Sequence, residues 1–288
     1  MKVHLVDGTY ELFRYHFSPG NRDPERGATR GVVGSVLSLL ESGATHVGVA
    51  TDHIIESFRN DLWPGYKTGA GIDPNLKAQF PLLEDALMEA GICTWPMVEL
   101  EADDALGAAA RIAADDDRVE QVVICTPDKD LGQCVGGKVI QWDRRQDKYF
   151  DVDGVRAKFG VDPESIPDYL ALVGDSADGF PGLPGFGAKS AAAVLAKYRH
   201  IESIPAAGDD WGVGIRNPGR LAATLRENFE LALLFRRIAT LEVDTPVIGS
   251  VDELEWTGPR QGFVAMSERL GALGLAERAV KLARARFE

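Results

Sequence analysis

Apolar residues in the first half of the chain alternate between short unbroken runs and longer stretches where they recur every three or four positions. The runs are Val3 to Val6, Val47 to Thr51 and Val122 to Cys125. The recurring stretches are Val32 to Leu40, Leu76 to Ala90 and Ala102 to Ala114. Short runs bounded by turn residues predict buried strands, and the three-to-four spacing predicts amphipathic helices. Strand and helix in alternation predict an α/β fold with a doubly wound, mainly parallel sheet. From Leu221 onward the pattern is helical and amphipathic throughout.

Each predicted strand runs into an aspartate: Asp7, Asp52, and Asp128 after Thr126-Pro127. A single such residue is a turn former or helix cap. Three at equivalent strand ends lie where open α/β sheets collect their ligands. Further acids follow: Glu101, Asp103 and Asp104 open a predicted helix, Asp130 stands two beyond Asp128, and Asp175 and Asp178 are three apart. Acids in a first turn also complement the helix dipole, so Glu101 to Asp104 fit either use. Convergence of all these like charges is intelligible only with bound cations or protonated acids. An all-oxygen donor set without histidine or cysteine favours Mg²⁺ or Mn²⁺ over Zn²⁺, and two such ions would clamp a phosphodiester from both sides.

Asp175 and Asp178 belong to the stretch GDSADGFPGLPGFGAKSAAAVL (Gly174 to Leu195), whose second half is a glycine-hinged turn leading into an alanine-rich helix. Glycines there let a backbone approach a ligand closely, and a helix N-terminus offers unpaired amides to a phosphate.

The chain has 288 residues, 45% hydrophobic and 26% charged, enough for one large domain or a domain plus a smaller module. No segment nears the roughly 18 apolar residues of a membrane span, and the start VHLV is unlike a leader, so a cytoplasmic protein is expected. Cys93, Cys125 and Cys134 have no metal-type spacing and read as core thiols. The net charge of −13 argues against a generally basic nucleic-acid binder, although a local basic stripe is compatible with it.

The ordered segments LVDGTYELFR, TDHIIESFRNDLWPGYK, ELEADDALG, TPDKDL, GDSADGFPGLPGFGAKSA and LRENFELALLFRRIATLEVDTP resemble the 5′-nuclease (flap endonuclease) family. This family includes stand-alone 5′-3′ exonucleases and the N-terminal nuclease domain of bacterial DNA polymerase I. The resemblance implies a PIN-like nuclease domain over 1–170 with a helical arch at about 54–90, and a helical region over 171–288 built on a helix-hairpin-helix. It implies one divalent ion at Asp7, Asp52, Glu101, Asp103 and Asp104, and a second at Asp128, Asp130, Asp175 and Asp178. Asp128, Lys67 and Arg59 are its implied catalytic residues, the two basic ones acting on the reacting phosphate. The segment from Asn60 to Pro74 would be mobile without DNA. A potassium ion would sit on the carbonyls of Leu172, Val173, Pro181, Leu183 and Phe186. Gly185, Gly187 and Lys189 would grip the duplex, with Tyr10 and Arg14 near the first ion and Phe13 in a buried aromatic pair.

The implied substrate is DNA with a 5′ flap, overhang or nick, cut by a monomer that acts with replication or repair proteins. Family members have a basic residue where this chain has Ala70, and a serine and an asparagine at Ala177 and Gly179, which bears on cleavage efficiency and second-ion affinity. Gly208 to Arg216 reads only as a loop, and Arg236 and Arg237 as a duplex-facing patch or a solvated face. No polymerase or proofreading domain is expected after Glu288. Alternatives are a DNA-junction binder without catalysis, a PIN-type ribonuclease, and a haloacid-dehalogenase-type phosphatase. The last would need its nucleophile where Leu5 stands.

Overall fold

A computed structural model describes residues 1–287. The chain forms two compact units: Met1–Ile55, Gly69–Thr126 and the chain from Glu242 onward make the first, and Glu56–Thr68 with Pro127–Leu241 make the second.

In the first unit, strands β1 (Lys2–Asp7), β2 (His46–Asp52), β3 (Cys93–Met97) and β4 (Gln121–Cys125) are all parallel, in the order β3, β2, β1, β4. The register sets Val6 opposite both Val49 and Cys125, and Asp52 opposite Met97. The carboxyl ends of β1 and β2 therefore deliver Asp7 and Asp52. Every residue of β2 is buried, as expected for an inner parallel strand covered on both faces. The helix Ala102–Asp115 presents a nearly all-alanine face to the sheet, where small side chains permit close packing. The pattern did not reveal β3, because its sequence CTWPM is short, interrupted by Thr94 and Pro96 and mostly half-buried, which an edge strand tolerates. The helix expected from Leu76 to Ala90 forms as Pro74–Lys77 followed by Gln79–Glu89.

The sequence assigned the last stretch of chain to the carboxy-terminal helical region, but from Glu242 it packs within the first unit. Trp256, 1% exposed, donates its indole N–H to the Ala90 carbonyl at 2.8 Å and its backbone N–H to Thr45 at 2.9 Å. The helix Leu273–Phe287 lies on Gly27–Glu41, tied by Arg278 to Glu41 at 2.8 Å. Among the described residues no helix is long and apolar enough to cross a membrane. All three cysteines are free, and burial, helped by Glu253, pushes the Cys93 thiol up to about 11.

The second unit opens with an antiparallel hairpin, β5 (Val139–Asp143) and β6 (Lys148–Phe150), followed by the helices Val152–Phe159, Ile166–Val173, Ala188–Tyr198, Pro218–Glu227 and Phe229–Ala239. Residues 127–170 pack within this unit. The segment Gly208 to Arg216, unassigned from sequence, is anchored in this core. Trp211 is fully buried, and its indole donates to Pro205 at 2.7 Å. Lys197 and the Tyr198 hydroxyl both bind its carbonyl, at 2.7 and 3.1 Å. Trp211→Ala should cost about 3–5 kcal/mol of unfolding free energy through lost burial and the cavity left behind. A guanidinium denaturation curve checks this, and a loss under about 1 kcal/mol would contradict the anchoring role.

Candidate metal centre and hairpin

The second unit gathers three carboxylates. Asp175 follows the turn at Gly174, and its segment closes on itself: Asp175 N–H donates to Phe180 O at 2.9 Å, while Gly179 and Phe180 N–H groups donate to Asp175 O at 2.9 and 3.1 Å. This loop fixes Asp175 and Asp178 relative to each other. Asp130 heads the short turn Asp130–Cys134 and donates its N–H to Asp128 Oδ1 at 3.0 Å. One oxygen each of Asp130, Asp175 and Asp178 lies within 4.8 Å of the others. Asp130 Oδ1 is buried and has no hydrogen-bond partner. Burial first, then the charges of Asp178, Asp128 and Asp175, push the Asp130 carboxyl well above the ordinary aspartate range, with Lys67 acting the other way.

Two lysines meet this excess charge. Lys67 Nζ lies 3.0 Å from Asp178 Oδ1, and Lys129 pairs with Asp175. Partial burial pulls Lys129 down, but Asp175, Asp130 and Asp128 together lift it above the ordinary lysine value. A role for Lys129 was legible in the order Asp128-Lys129-Asp130, which places a cation between two acids, yet no sequence argument singled it out. An all-oxygen donor set, an orphaned buried carboxylate oxygen and a carboxyl raised by its neighbours together fit a hard divalent cation. Asp130, Asp175 and Asp178 would hold it, with the exposed Asp128 alongside Asp130 at the rim.

In the first unit the acids are also tied to backbone. Asp7 accepts from Tyr10 N–H and from Thr126 Oγ1, both at 2.8 Å. Asp52 accepts from Ala102 N–H at 2.7 Å. Asp104 is fully buried, and its two oxygens accept the N–H groups of Glu101 at 2.9 Å and Glu242 at 2.8 Å. It therefore clasps the helix start to the returning chain, a structural use the sequence did not distinguish from metal binding. Glu101 is buried and Asp103 half-buried beside it.

The segment expected as a mobile arch is docked between residues 58 and 67. Only Phe58–Leu62 is helical before Pro74. Tyr66 is buried, Trp63 donates its indole N–H to Gly179 O at 3.1 Å, and Lys67 N–H donates to Asp178 O at 2.9 Å. Trp63 packs edge-on against Phe235 at 5.0 Å. Lys67 thus reaches the carboxylates, where the resemblance implied a contact with the reacting phosphate.

Arg59 does not fit its implied role. It is 2% exposed, with Nε donating to Ile238 O at 2.7 Å and Nη2 to Thr240 O at 3.1 Å. A guanidinium spent on main-chain carbonyls anchors a segment rather than meeting a phosphate. Arg236 is likewise drawn into an ion cluster with Asp168 at 3.2 Å and Glu202 at 2.5 Å, and Arg237 lies over the Phe58 ring. Arg14 pairs with Glu11 and covers the Tyr15 ring, and Tyr10 is half-buried. Phe13 packs tilted against Phe17 and edge-on against Phe80.

The docking explains one departure from the family pattern. Gly179 has φ +82°, and a Cβ there would sit 2.1 Å from the Gly65 carbonyl oxygen. Asparagine tolerates the positive φ but not the contact. In the hairpin, Gly182 has φ +68° and passes so near Gly174 N and Leu172 O that a Cβ would lie 2.4 and 2.6 Å from them. This crossing brings Leu172 and Val173 beside Leu183, whose N–H donates to Leu172 O at 2.9 Å. Leu183 O in turn accepts from Phe186 at 3.2 Å, so two of the carbonyls named for potassium each already carry one hydrogen bond. Gly185, Gly187 and Lys189 are exposed and, with Arg216, line a hollow of about 740 Å³.

A parallel sheet ending in carboxylates and a glycine-crossed helical hairpin with its own carboxylate cluster are features of metal-using nucleases of resolvase-like fold. The chain matches the models of the 5′-3′ exonuclease N-terminal resolvase-like domain over residues 2–160 and the 5′-3′ exonuclease C-terminal SAM fold over 161–262. It belongs to the 5′-3′ exonuclease family. It is 34% identical over 281 residues to DNA polymerase I of Pseudomonas aeruginosa, covering 92% of this chain and 30% of that one. It is 31% identical over 270 residues to flap endonuclease Xni of Yersinia enterocolitica, covering 88% of this chain and 98% of the relative. The chain spans about a third of the length of the polymerase relatives it matches. A solved phage T5 flap endonuclease, in a complex with DNA and metal ions, shares the fold with a TM-score of 0.67 at 20% identity, covering 99% of this chain and 100% of that one.

Gly179→Asn should lower stability by about 1–3 kcal/mol, the range for forcing atoms into a packed contact. Thermal or urea unfolding of the variant checks this, and wild-type stability would show that the Gly65 contact yields freely. Arg59→Met should likewise destabilise, by about 1–3 kcal/mol through carbonyls left unpaired, with any activity falling only as far as the folded fraction does. A large activity loss at unchanged stability would restore the phosphate role.

Proposed function

We propose that this protein is a divalent-metal-dependent, structure-specific 5′ nuclease that hydrolyses phosphodiesters of DNA at 5′ flaps, overhangs or nicks. The observation that carries the reading is the cluster of Asp130, Asp175 and Asp178 with its unpartnered buried oxygen. Membership of a family that includes a named flap endonuclease over nearly its full length supports the same reaction. In this reading Mg²⁺ or Mn²⁺ bound by these acids and Asp128 supplies Lewis acidity toward the phosphate. The acids Asp7, Asp52, Glu101 and Asp103 of the first unit would hold a second ion, with Asp104 fixing the helix start that bears Glu101 and Asp103.

The protein's own groups have distinct tasks. Lys67, held at Asp178, provides a mobile positive charge that can turn from carboxylate to the phosphate as charge builds on it. Lys129 pairs with Asp175 and orients it. The exposed turn at Gly185 and Gly187 and the Lys189 ammonium bind duplex phosphates, reading shape rather than sequence. A potassium ion on the hairpin carbonyls would strengthen that grip. We further infer a cytoplasmic monomer working beside replication or repair proteins.

With a 5′-labelled flap substrate and Mg²⁺ or Mn²⁺, short 5′ products should appear and EDTA should abolish them. Asp175→Asn should lower kcat at least about a hundredfold while DNA affinity changes by no more than about threefold. Tight flap binding without any cleavage by the wild type would instead identify a junction-binding protein.

A further inference from the structure

A second charged cavity in the same unit has no part in the scheme above. It encloses about 320 Å³ beside the β5–β6 hairpin and is lined by Pro127, Asp143, Gln146, Lys148, Phe150 and Lys158, among others. The hairpin register, Asp143 opposite Lys148 and Gln141 opposite Phe150, sets Lys148 and Phe150 on one face. The helix Val152–Phe159 brings Lys158 to the same place. Lys148 Nζ lies 5.0 Å and Lys158 Nζ 4.7 Å from the Phe150 ring centroid, so the two ammonium groups are within about 10 Å of each other. That is close to the screening length of about 8 Å at physiological salt, so they repel each other.

Among the described residues neither ammonium group forms an ion pair or hydrogen bond, and both lie over aromatic rings. Asp143, the nearest acid in the lining, is buried and turned into the hairpin loop, accepting the N–H groups of Arg145 at 3.0 Å and Gln146 at 3.1 Å. Burial, with Lys148 and Lys129, pulls the Lys158 ammonium below the ordinary lysine value despite Asp128 and Asp143. The wall therefore holds two exposed lysines that no carboxylate pairs directly, with Asp128 and Asp143 drawing on Lys158 from further off. An oxyanion between them would take charge-assisted hydrogen bonds from both ammonium groups.

We propose that this cavity is a phosphate subsite that takes one phosphate group between Lys148 and Lys158. That phosphate comes either from the backbone of bound DNA, as Pro127 next to Asp128 suggests, or from a free nucleotide. The DNA source rests on the nuclease reading above, whereas phosphate binding itself does not.

The test uses the full chain in EDTA, so that binding is read without cleavage. Lys148→Met with Lys158→Met keeps the apolar stems over Phe150 and removes both charges. The probes are inorganic phosphate and a 5′-mononucleotide, followed by ³¹P line broadening, and a flap oligonucleotide followed by anisotropy across a salt series. Wild type should broaden the phosphate signal saturably and the double variant should not. If the source is the DNA backbone, the variant should also bind the oligonucleotide about tenfold more weakly, with a log-log salt slope smaller by about one. If the source is a free nucleotide, mononucleotide binding is lost and oligonucleotide affinity is kept. Lys148→Arg with Lys158→Arg should retain wild-type behaviour in either case. The single variant Lys148→Met, at an exposed position, should show a partial loss even if the double variant folds poorly. Unchanged phosphate broadening, oligonucleotide affinity and salt slope in the folded Met variants overturn the proposal.

Discussion

The second unit is organised around a repulsion. Asp130, Asp175 and Asp178 are held closer together than free carboxylates would settle, and the local backbone exists to keep them there. The loop from Asp175 to Phe180 closes through three main-chain hydrogen bonds, Gly174 turns the chain after its helix, and Gly179 lets the Gly65 segment press against the same loop. Each device spends conformational freedom to fix acids in a place that only a cation makes comfortable. Lys67 and Lys129 partly offset the charge from two sides.

That constraint accounts for the neighbouring architecture. Residues 58 to 67 bring Lys67 to Asp178, and they hold their position because Trp63, Tyr66 and Arg59 are inserted into the helical core. Arg59 anchors one end of this short segment in the helical core, and Lys67 at the other end pairs with Asp178. The hairpin downstream repeats the device, since Gly182 passes through a gap too narrow for any side chain and thereby sets the exposed turn of Gly185 and Gly187. In the first unit Asp104 plays the corresponding part by tying the helix Ala102–Asp115 to the returning chain at Glu242.

Much of this could be read from the residues. The strands β1, β2 and β4 and the acids at their ends were visible as unbroken apolar runs meeting aspartates, because inner parallel strands leave a strong signal. Strand β3 was not, because an edge strand bears polar residues and Pro96 without penalty. The carboxylates of the cluster were legible from their spacing and from the family resemblance. The difference between Lys67 and Arg59 was not. Both are basic residues in one segment, and only the carbonyls of Ile238 and Thr240, far along the chain, decide that one guanidinium is structural. The same holds for Trp211, whose burial depends on Pro205, Lys197 and Tyr198 folding over it, and for Trp256, which closes on Ala90 from the far end of the sequence. Contacts of long sequence separation leave no local pattern. Gly179 looked like a loss of an amide near the metal, whereas the structure gives it a steric purpose.

The central claim is that the crowded carboxylates of the second unit form a divalent-ion site. Anomalous scattering from a crystal of this chain grown with Mn²⁺ measures it most directly. A peak is expected within coordination distance of Asp130, Asp175 and Asp178. Mn²⁺ absent from that cluster while bound elsewhere on the protein would contradict it.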